Sequence, residues 1–223
     1  VTETVITVQG KARAEYAPER GILRFTIAAD GHDRSDAVER AAAALDRVSA
    51  AIAARHDVDA GPVTAWSADR VSVTAQRPWT NDGSVAPVVH RAAVSGRATV
   101  TGLDALPELV EALAAEELAA IDGLEWSLSE SRRTSVLTEV RSRAVKDAVT
   151  KATIYAQSIG LGSVHAVALA DPGMLGDPGA GTGPQPRMER VAMMASDARG
   201  GAFSLRPEPI VVEIAVDARF VAR

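Results

Sequence analysis

Residues 134–172, TSVLTEVRSRAVKDAVTKATIYAQSIGLGSVHAVALADP, decide the fold. Val136, Val140, Ala144, Ala148, Ala152, Ala156 and Ile159 recur at steps of four or three, which places them along one face of a helix. Arg141, Arg143, Lys146 and Lys151 lie largely off that face. The run of alanines leaves room for another backbone or a sheet to approach closely, and alanine carries no cost in helix propensity. Gly160 stands where a helix ends in the left-handed conformation, and Leu161 is placed to fold back over the last turn, as in a Schellman ending. Residues 163–170 then read as a strand. None of these residues is a nucleophile, a metal ligand or a phosphate cradle.

Working outward, residues 4–16 alternate, with Ile6 and Val8 on one side and Thr7 and Gln9 on the other, and Gly10 predicts a bend or bulge. Pro18-Glu19-Arg20-Gly21 is a turn signal. Residues 21–29 put Leu23, Phe25 and Ile27 on one face and Arg24 and Thr26 on the other, so these two strands are expected to form a hairpin. Asp33 and Asp36 offer helix caps, with Asp36 and Glu39 spaced as a capping box, and Val38, Ala42, Leu45, Val48 and Ile52 form a stripe ending near His56. After Ala60-Gly61-Pro62, Thr64 and Trp66 open a short extended piece, residues 70–77 alternate as a strand, and residues 78–87 read as a hairpin loop. Residues 88–101 form a long strand carrying Val88, His90, Ala92, Val94, Gly96, Ala98 and Val100 on one face. Asp104 is placed to cap a helix with Pro107 in its first turn and Leu106, Val110 and Leu113 buried. Leu124, Trp126 and Leu128 alternate before the long helix, and residues 210–221 alternate as a final long strand. The order ββα-ββα-βα-ββ implies an α+β fold, a largely antiparallel sheet or sheets with helices packed on one face. Between the last two strands, residues 171–186 are rich in glycine and proline and read as a mobile loop.

Ala144, Asp147, Ala148, Lys151, Ala152, Ala156, Gly160, Leu161, Gly162 and Val164 together resemble the C-terminal signature of the SIMPL domain family, an alanine-stepped helix that ends in a glycine-leucine-glycine before a strand. Other passages agree in order: ITVQGKARAEYAP, GILRFTIAADG, SDAVERA, GRATVTGLDALPELVEAL, GLEWSLSE and IVVEIAVDARFVA. The resemblance covers nearly the whole chain and implies one SIMPL-like domain over residues 1–223, with the glycine- and proline-rich insertion at about 171–208. It also implies company: bacterial relatives include a periplasmic immunogenic protein that forms ring-like oligomers and proteins linked to oxidative-stress defence, and an animal member is a signalling adaptor. No catalytic residue set comes with the family. The function expected is therefore a non-enzymatic binding or self-assembling protein with a stress-related role. The alternative is a hydrolase with a non-standard Ser/His/Asp-type site.

Composition bounds these readings. At 223 residues a single domain would bury roughly 70–75% of the surface its unfolded chain exposes, so the chain can build its core without staples. Apolar residues make up 47% but aromatics only 4%, which favours close helix-on-sheet packing over a platform for stacking bases. A net charge of −5 argues in the same direction, since neutralising phosphates requires a basic face, and nucleic acid is not an expected partner. With no cysteine, disulfides and thiol chemistry are excluded. No window approaches the apolar length of a membrane span, and residues 1–20 alternate with charges in a way unlike a secretory signal. As it stands the chain reads as soluble and cytoplasmic, with export to the periplasm or cell envelope as the alternative if a leader was removed.

Candidate chemistry is sparse. Gly179-Ala180-Gly181-Thr182-Gly183 looks superficially like a phosphate loop but lacks the following lysine and runs into Pro184 and Pro186. His32-Asp33 and His56-Asp57 sit at opposite ends of a helix, roughly 30 Å apart, too far to share a metal. His90 and His165 lie on strand faces and read as core or rim residues. No cofactor or metal is expected. Residues 187–196, carrying Met188, Val191, Met193 and Met194, offer a possible assembly surface. The two long strands, 88–101 and 210–221, are expected to project unpaired backbone, and the chain is expected to form a homo-oligomer by strand extension or by exchange of this methionine-bearing arm.

Overall fold

The computed structural model describes residues 3–79, 85–175, 191–192 and 205–223. In chain order the elements are β1 Thr4–Tyr16, β2 Arg20–Gly31, α1 Arg34–Ala53, β3 Val63–Ala68, β4 Ser72–Gln76, β5 Val89–Val100, a 3-10 turn Leu103–Ala105, α2 Leu106–Ala114, β6 Ala119–Ser127, α3 Glu130–Ser158, β7 Val164–Ala170, β8 Val191–Ala192 and β9 Ile210–Ala222. The chain is α+β, all its strand pairs are antiparallel, and the observed order is ββα-βββα-βα-βββ. It divides into two compact units, one drawn from Val1–Ala17, Leu128–Ser196 and Glu208–Arg223, the other from Pro18–Ser127 and Asp197–Pro207.

In the first unit β9 is the central strand. β1 pairs along its whole length, from Thr4 opposite Ala222 to Tyr16 opposite Ile210, while β7 and β8 lie on its other side. α3 covers one face of this sheet. Val136, Val140, Ala144, Ala148, Ala152 and Ala156 are fully buried against Ile6 and Val8 of β1 and Val212, Ile214, Val216, Ala218, Phe220 and Ala222 of β9. Each of the larger side chains in that layer contributes about 1.5–3 kcal/mol through the area it removes from water. Ser129 caps α3 by accepting the Arg132 N–H at 3.2 Å. At the other end Gly160 has φ +78°, its N–H donates to Gln157 O at 3.0 Å, and the Leu161 N–H donates to Ala156 O at 2.9 Å. That pair of bonds is the Schellman ending expected, and Leu161 packs on the core below. Ile159 departs from expectation: as the residue that turns out of the helix it leaves the buried stripe and is 59% exposed.

Gly10 also has a different role from the bend or bulge expected of it. The β1–β9 register runs through Gly10 opposite Val216 without a shift. A Cβ there would lie 2.1 Å from Ala144 O and 2.7 Å from Ala148 N, so the glycine lets strand and helix backbones touch. The alanine stripe of α3 and Gly10 of β1 are two halves of one contact.

The second unit is a five-stranded sheet in the order β3-β5-β2-β6, with β4 also paired to β5. α1 and α2 pack on one face over Leu23, Phe25, Ile27, Ala98 and Val100. Gly96, opposite Phe25, makes room for the ring: a Cβ at that position would sit 2.3 Å from Phe25 Cζ. Arg47 of α1 grips Glu116 after α2 with two bonds of 2.6 and 3.0 Å, and this guanidinium holds the Glu116 carboxyl below the usual carboxylate range.

Four expectations are corrected here. β1 and β2 do not pair with each other: β1 binds β9, β2 lies between β5 and β6, and the short connection through Pro18 carries the chain from one sheet to the other. The cap of α1 is Asp33, whose Oδ1 accepts the Asp36 N–H at 3.0 Å while Asp36 Oδ2 accepts the His32 N–H at 3.1 Å, so the capping pair sits one turn earlier than Asp36 and Glu39. The fully buried stripe of α1 is accordingly Ala37, Ala41, Ala44, Val48 and Ile52, with Val38, Ala42 and Leu45 only part-buried beside it. In α2 the buried residues are Leu106, Leu109 and Leu113, with Val110 at the margin, and Asp104 makes no side-chain cap because the 3-10 turn precedes the helix. Finally, the two long strands are not projecting edges: β5 is flanked by β2 and by β3 and β4, and β9 by β1 and by β7 and β8.

Candidate functional site

With β9 central, the first unit's long exposed edge is β1, whose 13 residues pair on one side only among the described residues. In an antiparallel ladder alternate residues direct both backbone groups the same way. The Lys11 N–H donates outward to Asp147 Oδ2 at 2.8 Å, and Gln9 O accepts outward from Lys151 Nζ at 3.0 Å, so the odd-numbered residues of β1 face away from β9. Asp147 and Lys151 are themselves an ion pair at 2.7 Å, one turn apart on α3. They act as a clip where a further strand would otherwise pair. Lys151 first, and then the Lys11 N–H, hold the Asp147 carboxyl below the usual carboxylate range.

The clip covers only the centre. Beyond it on one side the odd residues Arg13 and Glu15 carry charge, the usual protection of an edge. On the other side Val5 and Thr7 are neutral, and Val5 is 59% exposed.

The second unit has a polar depression of about 370 Å³ on the sheet face opposite α1 and α2, lined by Arg24, Ser67, Asp69, Ser95, Arg97 and Asp122, with the backbones of Phe25 and Gly96 as its floor. Register explains the assembly. Arg24 lies directly opposite Arg97, and Thr26 opposite Ser95. The β2–β6 pairing shifts between Arg24, opposite Gly123, and Phe25, opposite Ile121, which leaves Asp122 as the extra residue of a bulge. Asp122 Oδ2 accepts from Thr26 Oγ1 at 2.7 Å. Arg24 binds Glu125 Oε2 at 2.6 Å, while among the described residues Arg97 makes one neutral contact, Nε to Ser67 Oγ at 3.3 Å. Alternation in the sequence puts Arg24 on the face of its strand away from Leu23, Phe25 and Ile27 but does not reveal the site. Its one local signal was Gly123 inside a strand, a mark of bulges, next to an acid.

The residues singled out for assembly meet the structure in part. Val191 belongs to β8, opposite Val212, whereas Met188, Met193 and Met194 lie outside the described residues. The glycine-rich run 179–183 lies outside them as well. Of the histidines, His32 precedes the α1 cap, His56 bridges to Val63, His90 is half-buried at the start of β5, and His165 is exposed with Nε2 3.5 Å from Ser163 Oγ. Among the described residues no cluster of three or more histidines and carboxylates is placed to hold a metal ion, and no helix is long and apolar enough to cross a membrane.

No curated protein matches the chain. The family model for SIMPL, described as a protein of unknown function (DUF541), matches residues 6–220 and so spans β1, both helix-covered sheets and nearly all of β9. The chain belongs to the SIMPL family.

Proposed function

We propose that the protein is a non-enzymatic, self-assembling binding protein whose copies join by strand addition at the open edge of β1. The observation that carries this reading is the neutral stretch around Val5 and Thr7, beyond the Lys151 bond to Gln9 O, whose outward backbone groups have no partner strand among the described residues. An unprotected edge is a template for another strand. A second copy meeting it antiparallel about a two-fold axis would make a self-complementary contact, while charge and the Asp147–Lys151 clip hold the rest of the edge back. The stress-related part of the reading rests on the family resemblance alone.

The test is light scattering coupled to size exclusion on the full chain and on Thr7→Pro. Proline at an outward-facing N–H removes a donor from the open edge and leaves the β1–β9 ladder intact. The expected result is an oligomer for the parent chain and a smaller mass for the variant, with unchanged circular dichroism. A monomeric mass for the parent across micromolar concentrations would sink the proposal. The competing reading, a hydrolase, has the Ser163–His165 pair to offer, with Oγ and Nε2 3.5 Å apart and no carboxylate bonded to the imidazole among the described residues.

A further inference from the structure

The depression on the five-stranded sheet holds an imbalance that its own residues do not resolve. Two guanidinium groups, Arg24 and Arg97, stand directly opposite each other on β2 and β5, an arrangement that is unfavourable for like charges. Elsewhere on the same strand pair the opposed residues are Asp30 and Arg91, which form an ion pair at 3.3 Å. Glu125 neutralises Arg24 at 2.6 Å, but among the described residues Arg97 has only the Ser67 hydroxyl. In the adjoining row the Asp69 N–H is tied to Ser95 O at 2.8 Å, which fixes this residue at the rim while its carboxylate has no bonding partner among the described residues. Asp122, turned into the depression by the bulge, spends one oxygen on Thr26. Beside Arg24 the row continues to Gly123, where nothing lies within 4 Å of a Cβ position, so the floor stays open.

Positive and negative groups therefore line one open depression in adjacent rows, roughly 7 Å apart along a strand, with Arg97 and Asp69 lacking an ionic partner among the described residues. We propose that it binds a small zwitterion of the amino-acid class: the ligand carboxylate on the Arg97 guanidinium beside Arg24, and its ammonium against Asp69 and Asp122. Guanidinium is suited to this because its fork of donors matches a carboxylate. A simple anion would leave the two carboxylates without a partner, and a simple cation would meet two arginines. The depression has the volume of a small-ligand site, and its wide mouth implies weak, millimolar-range binding. This site lies in the unit that does not contain β1, so it stands or falls independently of the edge-strand reading.

The experiment is a titration of the 15N-labelled full chain with glycine, alanine and glutamine, and with acetate and methylammonium as single-charge probes. The readouts are the backbone amides of residues 67–69, 95–97 and 122–124 and the Arg97 Nε–H. The expected result is saturable shifts confined to these signals with at least one of the amino acids, at least about tenfold weaker binding of acetate and methylammonium, and a loss of about tenfold or more in Arg97→Gln and in Asp69→Asn, as removal of one charge-assisted hydrogen bond implies. Both substitutions are at exposed positions, and an unchanged amide spectrum elsewhere shows that the variants are folded. Acetate binding as tightly as the amino acids would overturn the zwitterion assignment. Absence of shifts at these residues with all five probes, or full binding by Arg97→Gln, would overturn the site.

Discussion

Replacing Gly10 with alanine tests the contact on which the first unit is built. The added methyl carbon would lie 2.1 Å from Ala144 O, 2.7 Å from Ala148 N and 2.8 Å from Ala148 Cβ, all inside the 3.0 Å that such atoms observe as a floor. Two of the three neighbours are helix backbone, so no rotamer change relieves the clash. β1 cannot retreat easily either, being paired with β9 over its full length. Overpacking of this kind costs about 1–3 kcal/mol, and here the upper end applies because both partners are backbone. The lower flexibility of alanine in the unfolded chain returns about 0.4–1 kcal/mol. The net loss is about 2 kcal/mol or more, which at a slope of about 4 kcal/mol per molar guanidinium lowers the unfolding midpoint by about 0.5 M. Denaturation followed by far-ultraviolet circular dichroism measures it. Gly123→Ala is the control: with nothing within 4 Å it should fall within about 0.5 kcal/mol of the parent. Ala148→Gly added to Gly10→Ala should not restore stability, since the closest contact is the Ala144 carbonyl. A Gly10→Ala midpoint equal to that of the parent would refute the close approach of β1 and α3.

Ala148→Leu, at a fully buried position on the same contact, should cost about 1–3 kcal/mol, and an unchanged denaturation midpoint would show that this face is not packed. Gly160→Ala should cost about 1–2 kcal/mol from its left-handed backbone alone, since no atom lies within 4 Å to add a clash, and Gly160→Asn should lose less in the same thermal melt. The Asp147 carboxyl is depressed in the folded state, so its contribution is present above the unfolded value of roughly 3.9 and is lost as pH falls through the lower folded value. Parent and Asp147→Asn should thus differ in unfolding free energy at pH 6 and converge in strong acid; a constant difference across that range contradicts the clip. Protein purified without an affinity tag should carry no stoichiometric transition metal, and one tightly held zinc per chain in elemental analysis would contradict that expectation.

Local physics made most elements legible. The helix ending at Gly160 and Leu161 follows from two residues, because left-handed backbone and the returning bonds are properties of the six consecutive positions from Ala156 to Leu161. The faces of β2, β5 and α3 follow from periodicity, since a face turned toward a core must repeat with the period of the backbone that carries it. The cap of α1 was shifted by one turn because Asp33 and Asp36 both satisfy the rule for a capping residue, and only the tertiary path of the preceding strand chooses between them.

The sequence by itself determined the α+β class, the alanine stripe, the helix ending and the family signature, all carried by short-range patterns. Only the tertiary structure decided which strands pair: that β1 turns from its neighbour β2 to β9, at the far end of the chain, and that β5 and β9 are centres rather than edges. Alternation says which way a side chain points but is silent about the partner across the ladder, since backbone donors and acceptors are the same in every strand. For the same reason Gly10 read as a bulge until a helix was laid over it, and Arg97, Asp69 and Asp122 became one depression only when three strands and a single extra residue brought them to the same face.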